Sequence, residues 1–169
     1  MTGSAYDYVL GLGSNLGNRL EFFRTAVRLL QDHAQITAFS ALYETFAVGP
    51  PQPDYLNAAV RLRSELSPLA LLSLQLEIER MAGRVRFERW GPRTLDLDLL
   101  FVVGQTVNQP NLVVPHRELT RRAFALLPFL DVMPDARDPG TGRPYSELAA
   151  DLDRTGVREL ENSRAGWLE

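Results

Sequence analysis

Apolar and polar positions along the chain alternate between two periods, and the changes of period mark out the elements. Tyr6 to Leu12 is a short apolar run of the kind that forms a strand. Gly11, Gly13 and Gly17 punctuate the turn after it, and Asn15 or Asn18 can cap the helix beyond. That helix is predicted from about Arg19 to Asp32, with Phe22, Ala26, Leu29 and Leu30 as its apolar stripe. Ile36 to Tyr43 reads as a second strand, Gly49 to Pro53 as a stiff loop, and Tyr55 to Leu62 as a third strand. Ser67-Pro68 starts a second helix, which runs to about Met81 and stops at Gly83. A strand from Thr94 to Phe101 follows, then a hairpin turn at Gly104-Gln105 with Thr106-Val107 returning. Pro110 and Pro115 bound an extended stretch, and His116 opens a helical region from Arg117 to Leu130. A Pro-, Gly- and Asp-rich loop from Pro134 to Pro144 precedes a short helix from Ser146 to Asp153. The tail from about 155 is weakly patterned.

The order strand, helix, strand, strand, helix, strand predicts a ferredoxin-like α+β sandwich, with helices on one face of an antiparallel sheet. No internal repeat, low-complexity tract or domain break is visible, so the whole chain, 1–169, is expected to be a single domain.

One stretch breaks the usual strand chemistry. In Thr94-Leu95-Asp96-Leu97-Asp98-Leu99, Asp96 and Asp98 project to the same face, because side chains at i and i+2 of a strand do so. Aspartate is a poor strand former. Two on one face repel unless positive charge sits between them. A divalent cation such as Mg²⁺, which takes carboxylate oxygens and completes its shell with water and phosphate, answers that need. A solvated strand face or an Arg-paired edge is the plain alternative.

Arg84, Arg86, Arg89 and Arg93 precede that pair within ten residues. Guanidinium forks bind phosphate oxygens bidentately, so arginines beside a metal site form the two halves of a polyphosphate site. All 18 basic residues are arginine. Without lysine there is no Walker-type phosphate loop and no Schiff-base chemistry. With no cysteine there are no disulfides, no thiolate zinc site and no thiol catalysis, which fits a cytoplasmic protein. A net charge of −3 argues against a general nucleic-acid binder. The start lacks the basic and apolar regions of a signal peptide, and no apolar run is long enough to span a membrane.

GLGSNLG has the wrong spacing for a dinucleotide fingerprint and reads as a tight strand-to-helix turn, in which Asn15 can orient a neighbouring loop. His33 falls at a helix end. His116, beside Arg121 and Arg122, can donate to a phosphate oxygen or cap a helix. Tyr55 and Asn57 alternate on one strand face. Together with Trp90 and Phe124 they suit a flat heteroaromatic ligand, although core packing also explains any one aromatic.

Four segments, GSNLG, GPPQPDYLNAAV from Gly49, GRVRFERWGPRTLDLDLLF from Gly83 and VPHRELTRRAFAL from Val114, together resemble the 6-hydroxymethyl-7,8-dihydropterin pyrophosphokinase family. The resemblance implies a ferredoxin-like α+β sandwich with helices packed on the faces of an antiparallel sheet. It implies transfer of pyrophosphate from ATP to the pterin hydroxymethyl oxygen with release of AMP, in folate biosynthesis, using two Mg²⁺ ions. Asp96 and Asp98 then match the magnesium ligands. Arg84, Arg93, His116 and Arg122 match contacts to the triphosphate, and Arg86 an arginine of a mobile catalytic loop hinged at Gly83. Glu79 matches an acidic residue near the nucleotide and pterin sites. Thr45, Val48, Tyr55, Asn57, Trp90 and Phe124 match the pterin pocket, with Tyr55 and Phe124 as the stacking pair. Arg84, Arg86, Arg93 and Asp98 are the expected catalytic residues; either Asp98 accepts the hydroxyl proton, or the metal lowers the hydroxyl pKa enough to make a dedicated base unnecessary. The expected partners are these two small molecules, with no nucleic acid or membrane, and the expected state is a monomer.

The chain departs from the family pattern at Phe46-Ala47, where some members have Pro-Pro, at Phe87 in the arginine loop, and at Arg117, where some have tyrosine. Two other classes fit the sequence less well. A metal-dependent glycosyltransferase needs a longer doubly wound chain. A non-catalytic ferredoxin-like module leaves the aspartate pair and the arginine loop unexplained.

Overall fold

A computed structural model describes residues 3–47, 49–83 and 93–168. The elements in chain order are β1 (Tyr6–Ser14), α1 (Arg19–Gln31), β2 (Gln35–Phe39), β3 (Tyr43–Thr45), β4 (Tyr55–Ser64), α2 (Pro68–Met81), β5 (Asp96–Val102), β6 (Val107–Gln109), β7 (Leu112–Val114), α3 (Ala123–Val132), α4 (Tyr145–Ala150) and β8 (Val157–Glu159). A short 3-10 turn follows at Ser163–Ala165.

The main sheet runs β5-β1-β4-β3-β8, with β2 also on β4, and every pairing is antiparallel. With β2 and β3 counted as one bent strand, its first four strands have the order of a ferredoxin-like unit. β1 and β4 pair along their whole length, from Tyr6↔Ser64 to Ser14↔Leu56.

Both faces are covered. Tyr8, Leu10 and Leu12 of β1 meet Phe23, Ala26, Val27 and Leu30 of α1 and Leu71 and Ile78 of α2. On the reverse face Val9 and Ala59 join Leu100, Phe101, Leu126, Phe129 and Tyr145, so α3 and α4 pack there. The two-repeat pattern places helices on one face only; α3 and α4 lie beyond that repeat and supply the second layer.

The helix ends follow from local chemistry. Asn18 accepts from the Glu21 N–H at 3.2 Å, and Ser67 Oγ accepts from the Ala70 N–H at 3.3 Å with Pro68 in the first turn. Gly83, at φ +77°, takes the left-handed conformation just past α2. The buried stripe of α1 is Phe23, Ala26, Val27 and Leu30; Phe22 and Leu29 are only partly buried. The face turns by one position because Phe23 and Val27 complete the i, i+3, i+4, i+7 set.

Four expectations change. The predicted strand from Ile36 to Tyr43 is broken at Ser40. Ser40 Oγ accepts from the Ala59 N–H at 2.8 Å, the Ala41 N–H goes to Asp131 at 3.1 Å and the Leu42 N–H to Ser163 Oγ at 2.9 Å. The Ser40 N–H still donates to the Ala59 carbonyl at 2.9 Å, but at Ala41 and Leu42 side chains replace the ladder, and β2 and β3 meet β4 one residue out of register with each other. Thr106-Val107 do not return along the Asp strand; β6 pairs with β7 in a separate hairpin. The helical region expected from Arg117 begins at Ala123, because Arg122 is extended at φ −123°, ψ 112°. The weakly patterned tail contains β8, which extends the sheet beyond β3.

Candidate active site

Asp96 and Asp98 open β5 and lie opposite Gly13 and Gly11 of β1. The glycines make room. A Cβ on Gly13 would lie 3.3 Å from Asn57 Oδ1, and one on Gly11 would lie 3.2 Å from a Leu100 methyl. Asn57 stands opposite Gly13 on β4, and Tyr43 stands opposite Asn57 on β3, so adjacent strands bring amide, carboxylate and aromatic groups to one end of the sheet.

A cavity of about 250 Å³ opens there, and Thr45, Tyr55, Asn57, Arg93, Asp96, Asp98, Arg122 and Phe124 line it together with Gly13 and Phe46. The sequence assigned all eight of those side chains to one site, from segments up to 79 positions apart between Thr45 and Phe124. Asn57 is buried, and its Nδ2 donates to Thr45 Oγ1 at 2.8 Å. The Arg122 guanidinium carbon lies 5.7 Å from the Phe124 ring centroid, within cation–π range. Arg93 Nη1 lies 3.2 Å from Asp96 Oδ2.

His116 stands on the other side of Asp98. It lines a second cavity of about 330 Å³ with Leu72, Asn111 and Leu112, and Asp98 borders both spaces. Its Nε2 lies 4.0 Å from Asp98 Oδ1, and its Nδ1 accepts from the Glu118 N–H at 3.2 Å. Burial, and then the charge of Arg122, push its pKa below the ordinary 6.5, against the opposing pull of Asp96 and Glu118. The ring is therefore neutral near pH 7. With Nδ1 accepting, the proton resides on Nε2, facing the carboxylate side.

Glu79 lines neither of these two cavities. It is 3% exposed on α2 and accepts from the Leu97 N–H at 3.3 Å, while Gln75 Nε2 donates to the Leu97 carbonyl at 3.2 Å. β5 is an edge of the sheet, and these side chains satisfy it between the two aspartates. Val48, Arg84, Arg86, Phe87, Arg89 and Trp90 lie outside the described residues.

Asn15 does more than turn the chain. Its Oδ1 accepts from the Arg93 N–H at 2.8 Å, and its Nδ2 donates to Gln52 Oε1 at 2.8 Å and to the Pro53 carbonyl at 2.9 Å. It thereby ties the proline loop to the arginine that faces Asp96. Phe46 is a pocket residue that the pattern alone did not nominate; it carried only the mark of replacing a proline.

The donor set fits a hard cation. Asp96 and Asp98 supply oxygen from one strand face, and among the described residues no group of three or more His, Cys, Asp or Glu surrounds a common point. Mg²⁺ is habitually held by one or two carboxylates, with water and substrate phosphates filling the rest of its shell. Arg93 and Arg122 stand on the same cavity wall, and guanidinium groups are suited to phosphate oxygens.

Fold and site together define a ferredoxin-like α+β protein with two cavities that share Asp98. The sequence model of the 7,8-dihydro-6-hydroxymethylpterin-pyrophosphokinase (HPPK) family matches residues 9–134, and the chain belongs to that family. It is 42% identical over 151 residues to the 2-amino-4-hydroxy-6-hydroxymethyldihydropteridine pyrophosphokinase of Synechocystis sp., covering 88% of this chain and 77% of the relative. It is 39% identical to the enzyme of the same name from Bacillus subtilis, covering 88% and 87%. A crystal structure of an HPPK-DHPS in complex with substrates superposes with a TM-score of 0.75 at 14% identity, over 92% of this chain and 46% of that one. Wild-type Plasmodium falciparum HPPK-DHPS gives 0.70 at 16%, over 87% and 44%. These two likenesses speak to the fold alone, and this chain spans less than half of either protein.

Proposed function

We propose that this chain transfers the pyrophosphoryl group of ATP to the hydroxymethyl oxygen of 6-hydroxymethyl-7,8-dihydropterin, releasing AMP, as a step of folate biosynthesis. The observation that carries the reading is the sharing of Asp98 by two cavities. A two-substrate transfer needs two binding spaces that meet at the reacting phosphorus.

In this reading the pterin ring lies between Tyr55 and Phe124, with Asn57 and Thr45 offering hydrogen bonds to its edge. The nucleoside of ATP occupies the space beside His116 and Leu112. Arg93 and Arg122 bind phosphate oxygens, and His116 donates from Nε2 to another. Arg84 and Arg86 are assigned to the same triphosphate by the sequence resemblance. Asp96 and Asp98 hold Mg²⁺, two ions in this reading, whose charge offsets that of the phosphates and acidifies the attacking hydroxyl. The chain's own contribution is alignment: the hydroxymethyl oxygen is held in line with the β-phosphorus and the departing AMP oxygen. Asp98 is the carboxylate placed to take the hydroxyl proton. The whole chain is read as a single domain acting as a monomer in the cytoplasm.

Titrating the pterin into protein preloaded with Mg²⁺ and a non-transferring ATP analogue tests the two-cavity reading by calorimetry. The pterin should bind with the analogue in place. Mutual displacement would contradict it.

A further inference from the structure

The tail from Gly156 to Leu168 is fastened to the sheet at several points. β8 pairs with β3 through Tyr43↔Glu159, Glu44↔Arg158 and Thr45↔Val157. Arg158 Nη2 reaches Glu44 at 2.8 Å. Arg164 reaches Glu159 at 2.6 Å and Asp131 at 3.1 Å, and Asp131 accepts from the Tyr43 hydroxyl at 2.8 Å. Trp167 is 4% exposed, packs against Phe23 and Phe39, and donates from Nε1 to the Ser40 carbonyl at 3.0 Å.

This strap ends its sheet pairing beside the pocket. Val157 stands opposite Thr45, the residue hydrogen-bonded to Asn57. One position on, the Phe46 N–H donates to the Gly156 carbonyl at 3.2 Å. The Phe46 ring lies over Gly156, so closely that a Cβ on this glycine would stand 2.6 Å from Phe46 Cδ2. Gly156 is at φ +79°, a second reason for glycine there. The ring is 70% exposed, the most exposed large apolar side chain described. It forms part of the wall of the pterin-side cavity, and its other side faces a space of about 440 Å³ lined by Glu44, Asp54, Val157 and Arg158. An exposed ring seated on a glycine at a pocket mouth gains burial only when a flat apolar surface covers it.

We infer that the C-terminal strap, acting through Gly156, positions Phe46 as a further aromatic wall of the heterocycle pocket and so sets affinity for the pterin. The inference rests on the pocket reading given above. Phe46 is a positioning and specificity residue, not one that touches the reacting atoms.

Pterin dissociation constants, read by fluorescence for the wild type, Phe46→Ala, Gly156→Ala and the double variant, test this. Phe46→Ala should weaken pterin binding about tenfold, the scale of one lost aromatic contact. Gly156→Ala should weaken it too, by pushing the ring off its seat. The double variant should match Phe46→Ala alone, since the glycine acts through the ring. The loss should fall on the pterin KM more than on kcat, with ATP binding as the internal control. Wild-type affinity in Phe46→Ala would overturn the inference. So would a Gly156→Ala loss that persists in full without the ring, which would assign the effect to backbone strain. Failure of the wild type to bind pterin would overturn the pocket reading itself.

Discussion

Arg93 is held from both ends: its backbone N–H goes to Asn15 Oδ1 at 2.8 Å, and its guanidinium lies 3.2 Å from Asp96. The Asn15 N–H also donates to the Arg93 carbonyl at 3.0 Å, so the link is reciprocal. A buried asparagine thus fixes where the Arg93 side chain begins, while its amide nitrogen holds the proline loop at Gln52 and Pro53. Asn15→Ala leaves these backbone groups without that partner. It is expected to cost about 1–3 kcal/mol of stability per buried group left unsatisfied, measured by urea unfolding. Turnover should fall more than pterin affinity if Arg93 binds the phosphates as proposed. A variant with wild-type kcat would show that Arg93 keeps its place unaided.

The acidic pair gives the sharpest substitution. Asp96→Ala should abolish turnover while pterin binding, which the proposal assigns to Tyr55, Asn57 and Phe124, stays close to wild type. Parallel measurements of kcat and of the pterin dissociation constant check this. Near wild-type kcat would remove Asp96 from the metal site.

Acid stability should report on Glu44, which joins α1 to the strap. Arg19 first, and Arg158 after it, hold its carboxyl below the ordinary 4.5 against the opposing effect of burial. The native state therefore binds fewer protons than the unfolded chain between the two pKa values. The stabilisation is full above 4.5 and is lost as the pH falls through the lower native value. The stability gap between the wild type and Glu44→Gln should be constant near neutrality and close below about pH 4.5, as followed by urea midpoints. A gap that does not change with pH would mean that the ion pairs contribute nothing.

Much of this was legible in the sequence, for identifiable reasons. Asp96 and Asp98 stood out because aspartates alternating in a strand contradict strand chemistry, and the structure places both on the pocket wall. Asn18 and Ser67-Pro68 announced two helix starts because capping is local. The break at Ser40 was not legible, since the substitute partners, Asp131 and Ser163, lie 90 and 121 positions from the N–H groups they accept from. Nor was β8. Three residues, Val157 to Glu159, carry too short a pattern to show a period, and only pairing with β3 makes them a strand. Phe46 looked like an ordinary replacement until its ring was seen over Gly156, 110 residues away by number.

The central claim is pyrophosphoryl transfer, and the nucleotide product tests it most directly. Protein, ATP and Mg²⁺ should be incubated with and without 6-hydroxymethyl-7,8-dihydropterin, and the nucleotides separated. The account predicts AMP only when the pterin is present, in a one-to-one ratio with a pterin carrying both phosphorus atoms. ADP in place of AMP, with a singly phosphorylated pterin, would contradict it.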